Sequence, residues 1–268
     1  MFALAYVARI KYERQIVKSW LCVCSGRVIP LKDNVPTRSF PVVTVGLIVA
    51  NLIVWFWELG GRGVDYHVFT DGYYPCTIQG PCAIPVSVPI HPLPWYEGAF
   101  SSMFMHASWE HILGNMLFLW IFGNNIEDAL GKVRFLAWYI VAGLAATALQ
   151  TAITLTAGSV TDASIPNIGA SGAIAGVLGA YFVLLPRARV LTLIFFGIII
   201  IREIQAYWFL AVWIGLQLWS GGLSILHPQS GGGTAFFAHI GGFVFGIATV
   251  LLVAKRRPTV PVSRHPVW

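Results

Sequence analysis

The stretch Asn167-Ile168-Gly169-Ala170-Ser171-Gly172-Ala173-Ile174-Ala175-Gly176 decides the fold. A polar loop, 158–167, runs straight into it, and apolar residues continue to about 185. The small residues around Ser171 let a second helix approach closely. The stretch therefore reads as a helix entering a membrane with a serine near its start. On its own, such a serine also reads as a packing seam in which it is merely small. A soluble-hydrolase nucleophile elbow would need a strand before the serine, and no strand fits there.

Composition supports a membrane setting. Of 268 residues, 57% are hydrophobic and 10% charged, with mean hydropathy +0.72. Soluble domains carry about 25% charged residues. Apolar runs cover 41–57, 112–126, 135–157, 168–185, 206–226 and 235–254, each approaching the ~20 residues of a spanning helix. The expected fold is an all-α membrane protein, a bundle of six transmembrane helices with both termini cytoplasmic.

Charge placement supports that count. With the chain starting inside, Arg62 is the one basic residue left outside among 17 Lys and Arg, the positive-inside pattern. A further run, 190–201, would put Arg202 and Lys255-Arg256-Arg257 on the wrong side if it spanned. It is expected to lie as an interfacial segment on the cytoplasmic face. The pI near 9.3 follows from this distribution and nearby anionic lipid. Nucleic acid is not an expected partner, because no aromatic-plus-basic stretch of the kind that binds single strands is present.

Residues 1–39 read as a cytoplasmic N-terminal segment, 40–254 as the six-helix domain, and 255–268 as a basic cytoplasmic tail. Within 1–27, Lys11, Glu13, Arg14 and Lys18 interrupt any signal-peptide core, and a short amphipathic surface segment is one reading. Cys22 and Cys24 fall on the cytoplasmic side. Cys76 and Cys82 sit six residues apart in the long outside loop, 59–98; there a local disulfide and two free thiols both stay open.

Other polar residues stand at the starts of apolar runs. His239 opens the last one, with Gly242 and Gly246 on its face at i+3 and i+7. The six-span topology puts Ser171 and His239 at similar shallow depth on the outer side, with glycines permitting contact. A histidine within hydrogen-bond reach can take the serine proton during attack on a carbonyl. No Asp or Glu lies at comparable depth in the last two spans, so the expectation is a Ser–His dyad rather than a triad.

In the second run, His106, His111 and Asn115 are spaced 5 and 4 apart. His111 and Asn115 share a helix face and are suited to donate, with the Ser171 backbone N–H, to a developing oxyanion. His106, at the loop-to-helix junction, is expected to support the long loop by hydrogen bonding. Glu127, twelve residues past Asn115, reads as a helix-end residue bonding neighbouring backbone. A metal is not expected: zinc-protease helices need histidines at i and i+4 with a glutamate beside the first, whereas here Glu110 precedes the second histidine at a spacing of five.

Together these residues resemble the rhomboid family of intramembrane serine proteases over about 28–257. Gly169-Ala170-Ser171-Gly172 resembles the family's nucleophile motif. Ala238-His239 followed by Gly242 resembles its last-helix motif. His106-x4-His111-x3-Asn115 resembles its second-helix motif, and Gly123-Asn124-Asn125-Ile126-Glu127-Asp128-Ala129-Leu130-Gly131 the segment after it. The resemblance implies a six-helix bundle with the dyad in a water-filled cavity open to the outside. It implies Ser171 as nucleophile, His239 as base, and His111 and Asn115 as oxyanion donors, with Gly169, Gly172, Gly242, Gly246, His106 and Glu127 in support. It implies single-span membrane proteins as substrates, no cofactor, a plasma-membrane location, and a lateral gate near 206–222.

Three departures accompany the resemblance. Glu97-Gly98 stands where many members carry Trp-Arg, and Ala175 where some carry a tyrosine stacked on the catalytic histidine. Val28-Ile29-Pro30-Leu31-Lys32-Asp33-Asn34 resembles the start of bacterial members with Val28 in place of methionine, so translation from Val28 is one reading of residues 1–27. Two other classes fit less well. A client-binding, non-proteolytic relative would not need both Ser171 and His239, and a small transporter would be expected to show repeats and broken midplane helices.

Overall fold

The computed structural model describes residues 28–84, 92–195, 197–226 and 235–256. The amphipathic or alternative-start reading of 1–27, Cys22, Cys24, Arg257 and most of the basic tail lie outside the described residues.

Each of the six runs expected to span forms helix. In chain order these are α1 (Val42–Leu59), α2 (Trp109–Phe118), α3 (Asn124–Leu130), α4 (Lys132–Ala157), α5 (Ser171–Leu184), α6 (Ala206–Leu226) and α7 (Phe236–Val253). A π-helical turn, Leu119–Gly123, joins α2 to α3. Among the described residues α1, α4 and α7 are long and apolar enough to cross a membrane. Large apolar side chains line the outside, with Leu252 83%, Trp219 67% and Ile53 65% exposed. That surface is a liability in water and ordinary against lipid tails.

The chain is not all helix. Val28–Asp33 (β1), Arg189–Phe195 (β2) and Ile199–Gln205 (β3) form an antiparallel sheet in the order β1-β2-β3. The segment expected merely to lie at the interface is thus a β2–β3 hairpin, with Arg189 and Glu203 paired across it at 2.8 Å. Its Val, Ile and Thr content favours a pleated surface over a helix. Its other edge partner, β1, is remote in sequence.

Two polar clusters tie this end of the bundle together. Pro41 precedes α1 without a side-chain cap. Glu127 replaces the cap, accepting from the Val43 N–H (3.1 Å), the Thr44 N–H (2.7 Å) and the Thr44 hydroxyl (2.8 Å). A buried carboxylate so bonded at a helix start is favourable through both hydrogen bonds and the dipole. The second cluster is Asp33, which accepts from Tyr181 Oη at 2.5 Å and Asn125 Nδ2 at 2.6 Å. It links β1 to the far end of the serine helix. Burial pushes the Asp33 carboxyl up to about 6, against the hydrogen bond from Tyr181, which pulls it down. After α7, Arg256 pairs with Asp128 and also donates from Nε to the Asp128 carbonyl at 2.7 Å.

At the opposite end, Cys76 and Cys82 form a disulfide. The same loop pairs with the approach to Ser171: Asn167 N–H donates to Tyr73 O at 2.7 Å, and Tyr73 N–H to Asn167 O at 3.1 Å. Gly98 is packed against this pairing, since a Cβ there would lie 3.3 Å from Tyr73 Cα.

Candidate active site

Ser171 opens α5, His239 stands in the first turn of α7, and His111 in the first turn of α2. Three helix N-termini therefore converge. Their dipoles make a region that favours negative charge.

Glycines set the α5–α7 distance. A Cβ on Gly242 would collide with the Gly172 carbonyl, one on Gly246 with the Gly176 carbonyl, and one on Gly179 with the Phe243 carbonyl. Backbone rests on backbone along this seam. On its other flank Gly172 faces α4, where a Cβ would fall 2.7 Å from Ala146 Cβ.

That closeness brings Ser171 Oγ to 2.8 Å from His239 Nε2. With Nε2 unprotonated, the hydroxyl donates to it. His239 Nδ1 then carries the proton and donates to Gln217 Oε1, also at 2.8 Å. Gln217 lies on α6, one turn after Trp213, whose ring centroid is 5.8 Å from that of His239. An aromatic ring thus flanks the histidine from α6, while Ala175 is buried in α5.

Gly169 has φ +122, a conformation L side chains rarely adopt. A Cβ there would meet His111 Nε2 at 2.8 Å. The His111 ring therefore lies over the backbone just before Ser171. The Gly169 N–H donates to Ser102 O at 2.8 Å, which pins that residue. Ser108 caps α2 by accepting from the His111 N–H at 3.2 Å. Asn115 is buried, with Nδ2 at 2.9 Å from His106 Nε2. One amide hydrogen is used on His106, leaving the second for another acceptor.

His106 was expected to support the long loop. Its side chain instead holds Asn115, and its backbone N–H donates to the Glu58 carboxylate at 3.2 and 3.3 Å. His106 and His111 pack edge to face at 5.0 Å between centroids. Glu127 lies far from this group, at the α1 cap described above.

On the other side of Ser171 is a cavity of about 30 Å³, with Ser102, Thr147, Gln150 and Asn167 among its walls. It has the volume and polar lining that a water needs. Gln150 also caps α7, its Oε1 accepting from the Ala238 N–H at 3.2 Å.

Gln217, Trp213, Gln150 and Glu58 were not anticipated as parts of the site. A signal existed for Gln217: it is an uncharged polar residue inside an apolar run, costly without a partner.

The chain matches known proteins over much of its length. The zebrafish (Danio rerio) presenilin-associated rhomboid-like protein A, mitochondrial, is 30% identical over 167 residues, 59% of this chain and 39% of that protein. Its human counterpart is 31% identical over 169 residues, 60% of this chain and 40% of that protein. The matched part thus spans about two fifths of the mitochondrial relatives' length. Rhomboid protease AarA of Providencia stuartii is 27% identical over 232 residues, 80% of this chain and 75% of that protein. The sequence profile of the Rhomboid domain matches residues 94–256, more than half of the chain. The chain belongs to the rhomboid family, whose members are embedded in membranes.

Proposed function

We propose that this chain is a serine endopeptidase that cleaves the transmembrane segments of single-span membrane proteins near the outer face. The observation that carries the reading is the 2.8 Å approach of Ser171 Oγ to His239 Nε2 at the N-terminal ends of two helices locked by glycines. Similarity to Rhomboid protease AarA supports it.

The geometry performs the chemistry as follows. His239 Nε2 takes the hydroxyl proton as Ser171 Oγ attacks a substrate carbonyl. The carbonyl oxygen becomes an anion, stabilised by the Ser171 backbone N–H, His111 and the remaining Asn115 amide hydrogen. His239 then returns its proton to the leaving amine, and the C–N bond breaks. Water deprotonated by His239 attacks the acyl-enzyme and releases Ser171. The water-sized cavity beside Ser171, with Ser102, Thr147, Gln150 and Asn167 in its walls, suits the last step.

Six spans with both termini cytoplasmic, and a plasma-membrane location with the site opening outward, complete the proposal. The described basic residues support it: Lys32, Arg38, Lys132, Arg134, Arg187, Arg189, Arg202, Lys255 and Arg256 flank the sheet end, whereas Arg62 stands at the serine end.

The test is cleavage of a single-span helical substrate by purified protein in detergent, with chelator present. Wild type should cleave, and Ser171→Ala and His239→Ala should not. Cleavage that survives in Ser171→Ala contradicts the mechanism.

A further inference from the structure

A general base of the histidine type works only if the proton sits on the correct nitrogen. Which nitrogen carries it is set by the hydrogen bond the other one makes. In a charged triad a carboxylate does this. Here the atom 2.8 Å from His239 Nδ1 is the Gln217 side-chain oxygen.

We propose that Gln217 is a positioning residue that fixes the tautomer of His239, so that Nε2 is free to accept the Ser171 proton. This rests on the Ser171–His239 reading above. Gln217 is half-buried, between the lipid-exposed Leu216 and Leu218, and it reaches the histidine on the face that carries Trp213. Trp213 stands one turn earlier, at i−4, so both side chains leave the same face of α6. The ring flanks the imidazole while the amide sets its proton.

The residue type has a physical reason. An amide oxygen accepts the same hydrogen bond as a carboxylate, yet it brings no charge into hydrocarbon, where an ionised group is costly. The titratable side chain facing His239 from α2 is His111, with the His106 ring packed against it. A consequence follows for α6. Gln217 is on α6 and His239 on α7, so the tautomer is held only while α6 is seated against α7.

The experiment compares wild type, Gln217→Leu and Gln217→Glu. It measures kcat, KM and the pH–rate profile on a single-span substrate, and the rate at which a fluorophosphonate labels Ser171. Thermal unfolding in detergent runs alongside. In Gln217→Leu, kcat and labelling should fall roughly ten- to a hundredfold, with KM within about twofold. That is less than the ~10⁴ lost when a wrong tautomer is enforced in a soluble triad. In Gln217→Glu the acceptor returns with a charge. Rate should recover at high pH, and the acid limb should move to higher pH because the carboxylate favours the imidazolium.

Wild-type kcat, labelling and pH profile in Gln217→Leu would overturn the proposal while leaving the dyad intact. An unmoved acid limb in Gln217→Glu would do the same, and decides the matter if Gln217→Leu does not fold. Failure of wild type to label at Ser171 would instead overturn the dyad, and this proposal with it.

Discussion

Two contacts of α7 differ in kind. Against α5 it packs backbone to backbone, with Gly179, Gly242 and Gly246 leaving no room for a methyl group. Against α6 it packs through long side chains: Trp213 with Phe243 at 6.0 Å between centroids, Trp213 with His239, and Gln217 with His239. The first contact fixes where Ser171 and His239 are. The second fixes only how the imidazole is oriented and protonated. Side chains can re-rotamerise without unfolding a helix pair, whereas a glycine seam offers no alternative packing. The division leaves a glycine-locked helix pair beside a helix held to it by side chains.

The largest effect should come from one chemical change made in both places. Gly242→Ala inserts a methyl group into the Gly172 carbonyl, while Gly215→Ala on α6 meets nothing within 4 Å. Displacing the dyad by even 1 Å costs on the order of 10²-fold. Gly242→Ala should therefore lose at least that much cleavage activity, and Gly215→Ala should keep wild-type rate. Equal rates for the two would remove the distinction between the seams.

A smaller effect sharpens the account of the oxyanion side. His106→Leu removes the acceptor that orients Asn115. Its kcat should fall about tenfold to a hundredfold with KM unchanged, less than the roughly 10²–10³ expected for Asn115→Ala itself. A raised KM at constant kcat would mean that His106 serves substrate binding instead.

The smallest effect on catalysis lies at the sheet end. Folding raises the Asp33 carboxyl from 3.8 to about 6, so the folded state binds its proton more tightly than the unfolded one. The associated stabilisation is complete below about pH 4 and is lost as pH rises through 6. The difference is roughly 2–3 kcal/mol. Detergent-solubilised protein should lose thermal stability across that window, and Asp33→Asn should flatten the loss while leaving kcat near wild type. A wild-type profile that stays flat from pH 4 to 7 contradicts this assignment.

Much of the helical framework was legible because lipid imposes it. Unpaired backbone is forbidden in hydrocarbon, so apolar runs become helices, and their bounds agree closely with α1 to α7. Ser171, His239, His111 and Asn115 stood out because polar groups in such runs are costly. The sheet was not legible. Strand β1 pairs with β2 across more than 150 residues of chain, and 190–201 carries no alternation that separates strand from buried helix. Gln217 is hard to read from sequence because it carries no charge: the last two spans hold no Asp or Glu at the right depth, and a neutral acceptor on a neighbouring helix has no comparable signature. For His106 the sequence gives a position at a loop-to-helix junction but not the direction of its ring, which points to Asn115.

The measurement closest to the central claim is intact-protein mass after fluorophosphonate treatment in membranes, with the adduct located by peptide mapping. The account predicts one adduct, on Ser171, with labelling abolished in His239→Ala and slowed in Gln217→Leu. An unlabelled Ser171 in wild type, or labelling at an undiminished rate in His239→Ala, would contradict it.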